Sequence, residues 1–479
     1  MKSDIFVTFY PYKNDKFVIF TPHKSDKNVT FRYDRGMNRD FLNKLLAWKG
    51  DPDRKPLVIR GVRQAGKTYL LKKFGEEYKT CHYLNFEEEG KLLSLFEEDL
   101  NPKRIITDLS FHLGQPINLK TDLLIFDEVQ ACPKALTSLK YFYEKLPELH
   151  LCAAGSLLGI HLAPFSFPVG KVTFLTMRPM SFEEFLEAAD DQKSVEILRN
   201  LNEESQISEI VHHHLWERLK HYLIVGGMPE AVATYCKYQD DLFTAFEKVR
   251  AKQKELVIAY YADMAKHSGK VNALHINRIF RSAPTQIHQV QDGSISKFKF
   301  RGVIPGVSHY HRLATAIDWL EAAGLVLKVH IVNSANLPLK GFTKENQFKL
   351  LLFDVGILGS MCDLSPELIL GYDYGTYKGY FAENFVAQEL MLSQNRELFC
   401  WSEKNSELEF LLESRGKVIP IEVKSGSTTR SKSLKVFSEK YHPETRVVLS
   451  GKPFSIDPQK GTHHYPLYSV SSLQSSLLN

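Results

Sequence analysis

The chain has 479 residues, 43% hydrophobic and 24% charged, an ordinary balance for a globular protein and a length that allows about three domains. Its net charge of +5, from 61 basic and 56 acidic residues, excludes a polycation, so any nucleic-acid contact has to come from local clustering. The 6 cysteines include no C-x-x-C pair, which argues against a zinc ribbon and suits a reducing cytosol. No apolar run approaches the roughly 18 residues of a membrane span.

Residues 1–35 carry alternating aromatics (Phe6, Phe9, Phe17, Phe20, Phe31, Tyr33). They predict either a hairpin packed on the next domain or an edge that binds a partner. The segment has no long apolar region with a small-residue cleavage site, so the expected location is the cytoplasm, away from membranes.

Pro56-Leu-Val-Ile-Arg60 reads as a buried strand, and Tyr69-Leu-Leu-Lys-Lys-Phe74 has helical spacing. Between them lies Gly61-Val-Arg-Gln-Ala-Gly-Lys-Thr68, which fits the phosphate-binding pattern G-x-x-x-x-G-K-[ST]. Gly61 and Gly66 permit the tight turn that aims backbone N–H groups at phosphate oxygens, and the helix adds its positive N-terminal end. Lys67 is expected to reach the β- and γ-phosphates of ATP and Thr68 to ligate Mg²⁺, with Gln64, Ala65 and Tyr69 completing the nucleotide-binding set.

Leu123-Leu-Ile-Phe-Asp127-Glu128 is an apolar strand ending in two acids. Asp127 is expected to hold Mg²⁺ through its water shell, and Glu128 to polarise the attacking water. A third strand, Leu149–Ala154, ends at Gly155-Ser156, where Ser156 can meet the γ-phosphate or the water, or simply turn the chain. Ser181 with Glu184 predicts a capping box. Alternating strands and helices imply an α/β P-loop fold, a parallel sheet covered on both faces, binding its ligand at the carboxyl ends of the strands. His212-His-His214 are contiguous and cannot all point at one ion on a helix.

Beyond Ala231 the pattern turns helical. Residues 266–312 carry Lys266, Lys270, Arg278, Arg281, Lys297, Lys299, Arg301 and Arg312 against a single acid, Asp292. A helix over 309–323, stopped by Gly324, precedes two β-like runs, 325–331 and 347–353. Helices followed by a hairpin suggest a winged helix whose recognition helix, 309–323, either enters DNA or docks a protein. The last hundred residues then read as a helix around Tyr380–Leu390, strands at 397–401, 407–412 and 417–424, a lysine-rich helix at 431–441 and a strand at 446–450.

Two family resemblances follow. Gly61–Thr68, Leu124–Gln130, Ala154–Ser156, Arg178-Pro-Met-Ser-Phe-Glu-Glu-Phe185 and Tyr222-Leu-Ile-Val-Gly-Gly-Met-Pro-Glu230, in this order, resemble a large bacterial and archaeal family of AAA-type ATP-binding proteins. Their C-terminal domain has no assigned function, and the resemblance covers roughly residues 36 to 460. It implies that Gly226–Pro229 belongs to a helical lid, and it makes Arg178 and Arg63 candidates for an arginine acting in trans in a homo-oligomer. The C-terminal order, with Glu409…Glu422-x-Lys424, resembles the PD-(D/E)xK restriction-endonuclease-like core. In a strand Glu422 and Lys424 share a face while Ile421 and Val423 pack the core. Glu409 and Glu422, with Glu383 from the helix, would then bind Mg²⁺, and Lys424 would position a water for phosphodiester attack. Glutamate at 409 departs from the usual aspartate and moves the carboxylate by about 1 Å, which puts metal geometry in question. Residues 415–452 hold nine basic and three acidic residues.

The expected organisation is therefore an extension (1–35), an AAA-type ATPase with its lid (36–230), a winged-helix module (231–365) and an endonuclease-like domain (366–479). The expected function is an ATP-hydrolysing switch acting on DNA. The alternative is an ATP-dependent regulatory or partner-binding protein whose nuclease-like domain cuts nothing.

Overall fold

The computed structural model describes residues 39–156, 170–201, 207–267, 270–286, 297–375, 377–394, 397–427 and 431–473. The expected N-terminal element, residues 1–35, lies outside them.

After α1 (Phe41–Gly50) the chain alternates β1 (Leu57–Gly61), α2 (Lys67–Gly75), β2 (Thr80–Asn85), α3 (Pro102–Leu113), β3 (Asp122–Asp127), α4 (Pro133–Lys145), β4 (His150–Gly155) and β5 (Thr173–Met177). The five strands form one parallel sheet in the order β2-β3-β4-β1-β5. Side-chain alternation decides which core each residue joins. Leu57, Ile59, Leu123 and Ile125 face one core, and Val58, Leu124 and Phe126 face the other. With both faces covered, β3 is buried along its whole length, which is why it reads as a continuous apolar run.

Helices follow: α5 (Phe182–Ala188), α6 (Gln192–Arg199), α7 (Glu209–Val225), α8 (Pro229–Tyr238), α9 (Leu242–His267), α10 (Lys270–Gln286) and α11 (Ala314–Ala322). The expected capping box starts α5: the Glu184 N–H donates to Ser181 Oγ at 3.0 Å, and the Ser181 N–H donates to the Glu184 carboxylate at 2.9 Å.

The remaining elements are β6 (Val326–Val332), β7 (Thr343–Leu352), α12 (Val355–Met361), α13 (Pro366–Leu370), α14 (Tyr377–Gln394), β8 (Leu398–Glu403), β9 (Ser406–Ser414), β10 (Lys417–Val423), α15 (Lys432–Tyr441), β11 (Arg446–Ser450), β12 (Ser455–Asp457) and β13 (Thr462–Pro466). They build a second, eight-stranded mixed sheet, ordered β12-β13-β11-β10-β9-β8-β6-β7. The expected winged-helix module needs correction here. Its hairpin, β6 and β7, pairs through β6 with β8 and so extends the C-terminal sheet across the expected boundary at 365/366. The expected recognition helix is shorter than 309–323. A 3-10 turn (Tyr310–Arg312) precedes α11, which buries Ala316, Ile317, Trp319 and Leu320. Its exposed positions carry Thr315, Asp318 and Glu321, a face that repels phosphate.

One apolar core runs without a break from the ATPase sheet (Ile59, Ile125) through the helices (Tyr222, Leu256) to the second sheet (Phe410, Ile421). A smaller cluster under α15, with Trp401 and Phe437, covers the second sheet's other face.

Candidate functional site

The phosphate loop leaves β1 at Gly61, where the parallel neighbour β5 runs close alongside. Gly61 has φ +152°, and a Cβ there would stand 2.0 Å from the Met177 carbonyl oxygen, so only glycine fits. Gln64 (φ 64°) and Gly66 (φ 92°) are left-handed, and Gly66 hands the chain to α2. The Lys67 ammonium is folded back onto the loop it closes, donating to the carbonyls of Gly61 (2.9 Å) and Val62 (3.0 Å). Burial pulls its pKa down to about 8, with Glu128 and Asp127 opposing that shift.

Because β4 pairs with both β1 and β3, the ends of these three strands meet. Thr68 Oγ1 donates to Asp127 Oδ2 at 2.7 Å, and the Tyr83 hydroxyl, from β2, donates to the same oxygen at 2.8 Å. The Glu128 N–H donates to the other oxygen of Asp127 at 2.9 Å. Glu128 itself is left-handed (φ 49°), its carboxylate accepts from the Gln130 amide, and burial raises its pKa. Ser156, half-buried, follows β4 and so lies between the Lys67 and Asp127 strands. A hydroxyl and a carboxylate in contact are hard oxygen donors, a set that fits Mg²⁺. Tyr69 is 45% exposed at the rim.

Two supports of this site have no signature in the sequence. Tyr83 is one. The other is Arg39, buried, which donates to the Ala65 carbonyl (3.2 Å), the Arg178 carbonyl (2.7 Å) and the Glu184 carboxylate (3.0 Å). The Gly226–Pro229 turn also reaches the loop, since a Cβ on Gly66 would lie 3.5 Å from Pro229 Cγ. Gly227 is held on both sides: its carbonyl accepts from Met180 N at 2.6 Å, and its N–H donates to Asp354 Oδ2, also at 2.6 Å. Asp354 is the N-cap of α12. Of the two arginines considered for a role in trans, Arg63 is ion-paired with Asp263 of α9 in the same chain. Burial, with Arg60 nearby, lowers the Arg178 pKa to about 10.

The structure brings the four residues expected of the second site near one another. Glu383 (α14), Glu409 (β9), Glu422 (β10) and Lys424 interact directly or through neighbours. Lys424 pairs with Glu422, whose other carboxylate oxygen is buried without a partner. Glu409 accepts from the Val423 N–H at 2.9 Å. Burial and the adjacent Glu422 push the Glu409 pKa up to about 8. A residue that no motif pointed to sits among them. Lys349, on β7 and 2% exposed, pairs with Glu383 at 2.7 Å and with Glu407. Burial opposes its charge, but the carboxylates outweigh burial and hold its pKa above the usual lysine value. Of the acids expected to hold Mg²⁺, Glu383 is taken up by Lys349 and Glu422 by Lys424.

The histidines of α7 diverge. His212 contacts the Tyr468 hydroxyl (2.8 Å) and the Gly451 carbonyl (3.1 Å), and His214 contacts Asp191 (2.8 Å). Several basic residues form surface ion pairs, and others are exposed. Lys417, Lys435, Lys440 and Lys460 are paired with Glu444, Glu439, Glu403 and Asp457. Lys297, Arg301 and Arg312 are exposed and Lys299 is half-buried.

Comparison with known proteins bears on the domain that carries the phosphate loop. The family profile of an AAA domain matches residues 53–186. Two profiles for domains of unknown function match residues 216–368 (DUF8612) and 378–469 (DUF4143). No curated protein matches the chain. Among solved structures the chain is similar to the Walker-type ATPase paby2304 of Pyrococcus abyssi, at 16% identity over 70% of this chain and 99% of that one, with a TM-score of 0.42. It is similar to AMPPCP-bound DnaA from Aquifex aeolicus at 17% identity over 59% and 86% of the two chains, with a TM-score of 0.27. It is also similar to PCH-2 of C. elegans at 11% identity over 44% and 67%, with a TM-score of 0.28. At these scores the structural likenesses carry no functional argument. Residues 53–186 match the profile of an AAA domain and carry the parallel sheet with the phosphate loop, and no helix among the described residues is long and apolar enough to cross a membrane.

Proposed function

We propose that the chain is an ATP-hydrolysing switch whose C-terminal half engages a partner without cutting it. The observation that carries this reading is the Gly226–Pro229 turn, which lies beside the phosphate loop at Gly66 and is gripped by Asp354 at the start of α12. A change at the phosphates therefore has a short mechanical route into the C-terminal half.

In this reading Lys67 exchanges the Gly61 and Val62 carbonyls for the β- and γ-phosphates. Thr68 and Asp127 would hold Mg²⁺, which when bound offsets phosphate charge. Glu128, released by Gln130, orients the attacking water, with Ser156 beside the γ-phosphate. Tyr83 keeps Asp127 turned toward Thr68.

For the partner, the basic residues at 297–312 support a polyanion such as DNA, which is the acting-on-DNA form of the switch. The acidic face of α11 favours making that contact on the 297–312 stretch rather than on the helix. Lys67→Ala is expected to abolish ATP binding. Glu128→Gln is expected to bind ATP normally and hydrolyse it about 10²-fold more slowly or worse. Normal turnover in both variants would refute the ATPase reading. ATPase rates with and without DNA test the partner, since stimulation by polypeptide and not by DNA would point to a protein. In a plasmid-nicking assay with Mg²⁺ or Mn²⁺, wild type, Glu422→Ala and Lys424→Ala are expected to be equally inert. Nicking by wild type that either variant loses would restore the endonuclease.

A further inference from the structure

We propose that Lys349 is the built-in counter-cation of the C-terminal carboxylate cluster, holding the place that a divalent ion takes in a phosphodiester-cutting site, so that the cluster binds no metal. This deepens the non-cutting reading above by naming what makes the site inert.

The cluster brings four carboxylates (Glu383, Glu407, Glu409, Glu422) and two ammonium groups (Lys349, Lys424) under α14. Lys349 is the most central of the cations. It lies on β7 at the outer edge of the sheet, whereas Glu407 lies on β9, with β6 and β8 between them. The long aliphatic stem of lysine carries its charge from the edge strand to an acid of the sheet's interior strands. The ammonium meets Glu383 at 2.7 Å and also Glu407, so one positive charge bridges a helix carboxylate and a strand carboxylate.

The other carboxylates are engaged through one oxygen each, and the second Glu422 oxygen is buried without a partner. Glu409 receives the Val423 N–H and Glu422 receives Lys424. A bound Mg²⁺ requires oxygen ligands at about 2.1 Å in a near-octahedral array, and the ammonium that bridges Glu383 and Glu407 withdraws those two acids from any such array. Buried charge has to be balanced, and here a tethered lysine balances it without a diffusible ion. The same ion pairs tie β7 to α14 and β9, fastening the segment before residue 365 to the segment after it.

The test is a Mn²⁺ titration of nucleotide-free full-length protein, with free Mn²⁺ read by electron paramagnetic resonance. An Asp127→Asn background removes the acidic metal ligand of the ATPase site. In that background, protein with and without Glu422→Gln is expected to take up Mn²⁺ identically. One additional Mn²⁺ per chain that Glu422→Gln abolishes overturns the proposal. Adding Lys349→Met is expected to create a site, seen as one further Mn²⁺ per chain or a Mn²⁺-dependent rise in melting temperature. A folded Lys349→Met protein that gains neither also overturns it. Should Lys349→Met fail to fold, Lys349→Arg, which keeps the charge, is expected to fold and stay free of Mn²⁺, and uptake by that variant counts against the proposal. Plasmid nicking reads cutting alone, whereas the titration reads the cation, so the two ideas fail separately.

Discussion

Lys67 keeps its charge against the pull of burial, and this predicts a pH dependence of nucleotide binding. Its pKa is lowered to about 8, chiefly by desolvation, while phosphates bind the protonated form. ATP affinity is therefore expected to be flat below about pH 8 and to weaken above it, with proton uptake on binding in the alkaline range. Calorimetric titrations in buffers of different ionisation enthalpy measure both effects. Affinity unchanged to pH 10 would mean that the Lys67 charge is better supported than its surroundings indicate. Lys67, Thr68, Asp127 and Glu128 were legible in the sequence because a phosphate loop and a strand ending in acids are local patterns. Tyr83, Arg39 and Lys349 were not, because each reaches its site from another segment, and no spacing rule encodes a contact across 34 residues (Lys349 to Glu383) or 145 residues (Arg39 to Glu184).

At the scale of elements, α5 is capped from two directions. Its own Ser181–Glu184 box was readable in the sequence. The second cap, Glu389 of α14, accepts from the Phe182 N–H at 3.0 Å and joins the two halves of the molecule. Burial, with Glu183 and Glu184 nearby, raises the Glu389 pKa to about 8 from an ordinary 4.5. A carboxyl whose folded pKa is raised gives its full stabilisation below the unfolded value and loses it as pH rises through the folded value. Between about pH 4.5 and 8 the melting temperature should therefore fall, and Glu389→Gln, which keeps an acceptor for Phe182, should reduce that slope. An identical slope in the variant would rule out Glu389 as a source. The strands of the β6–β7 hairpin were equally readable from their apolar runs. Their sheet was not, because alternation states which face a residue takes and not which strand lies beside it.

For the whole molecule, the continuous core from Ile59 to Ile421 and the hairpin that completes the C-terminal sheet predict cooperative behaviour. Thermal unfolding of the described regions is expected to follow one calorimetric transition, and two resolved transitions would show that the halves fold independently. The sequence by itself determined the parallel P-loop sheet, the motif residues at its strand ends and the succession of C-terminal elements, since these depend on short-range periodicity and on motifs whose chemistry is local. Only the tertiary structure decided that the middle hairpin belongs to the second sheet, that the Gly226–Pro229 turn lies between the phosphate loop and Asp354, and that Lys349 stands among the acids. Those outcomes depend on which distant segments share a low-dielectric interior, where an unpaired charge or N–H group is too unfavourable to persist and so selects its partner by proximity.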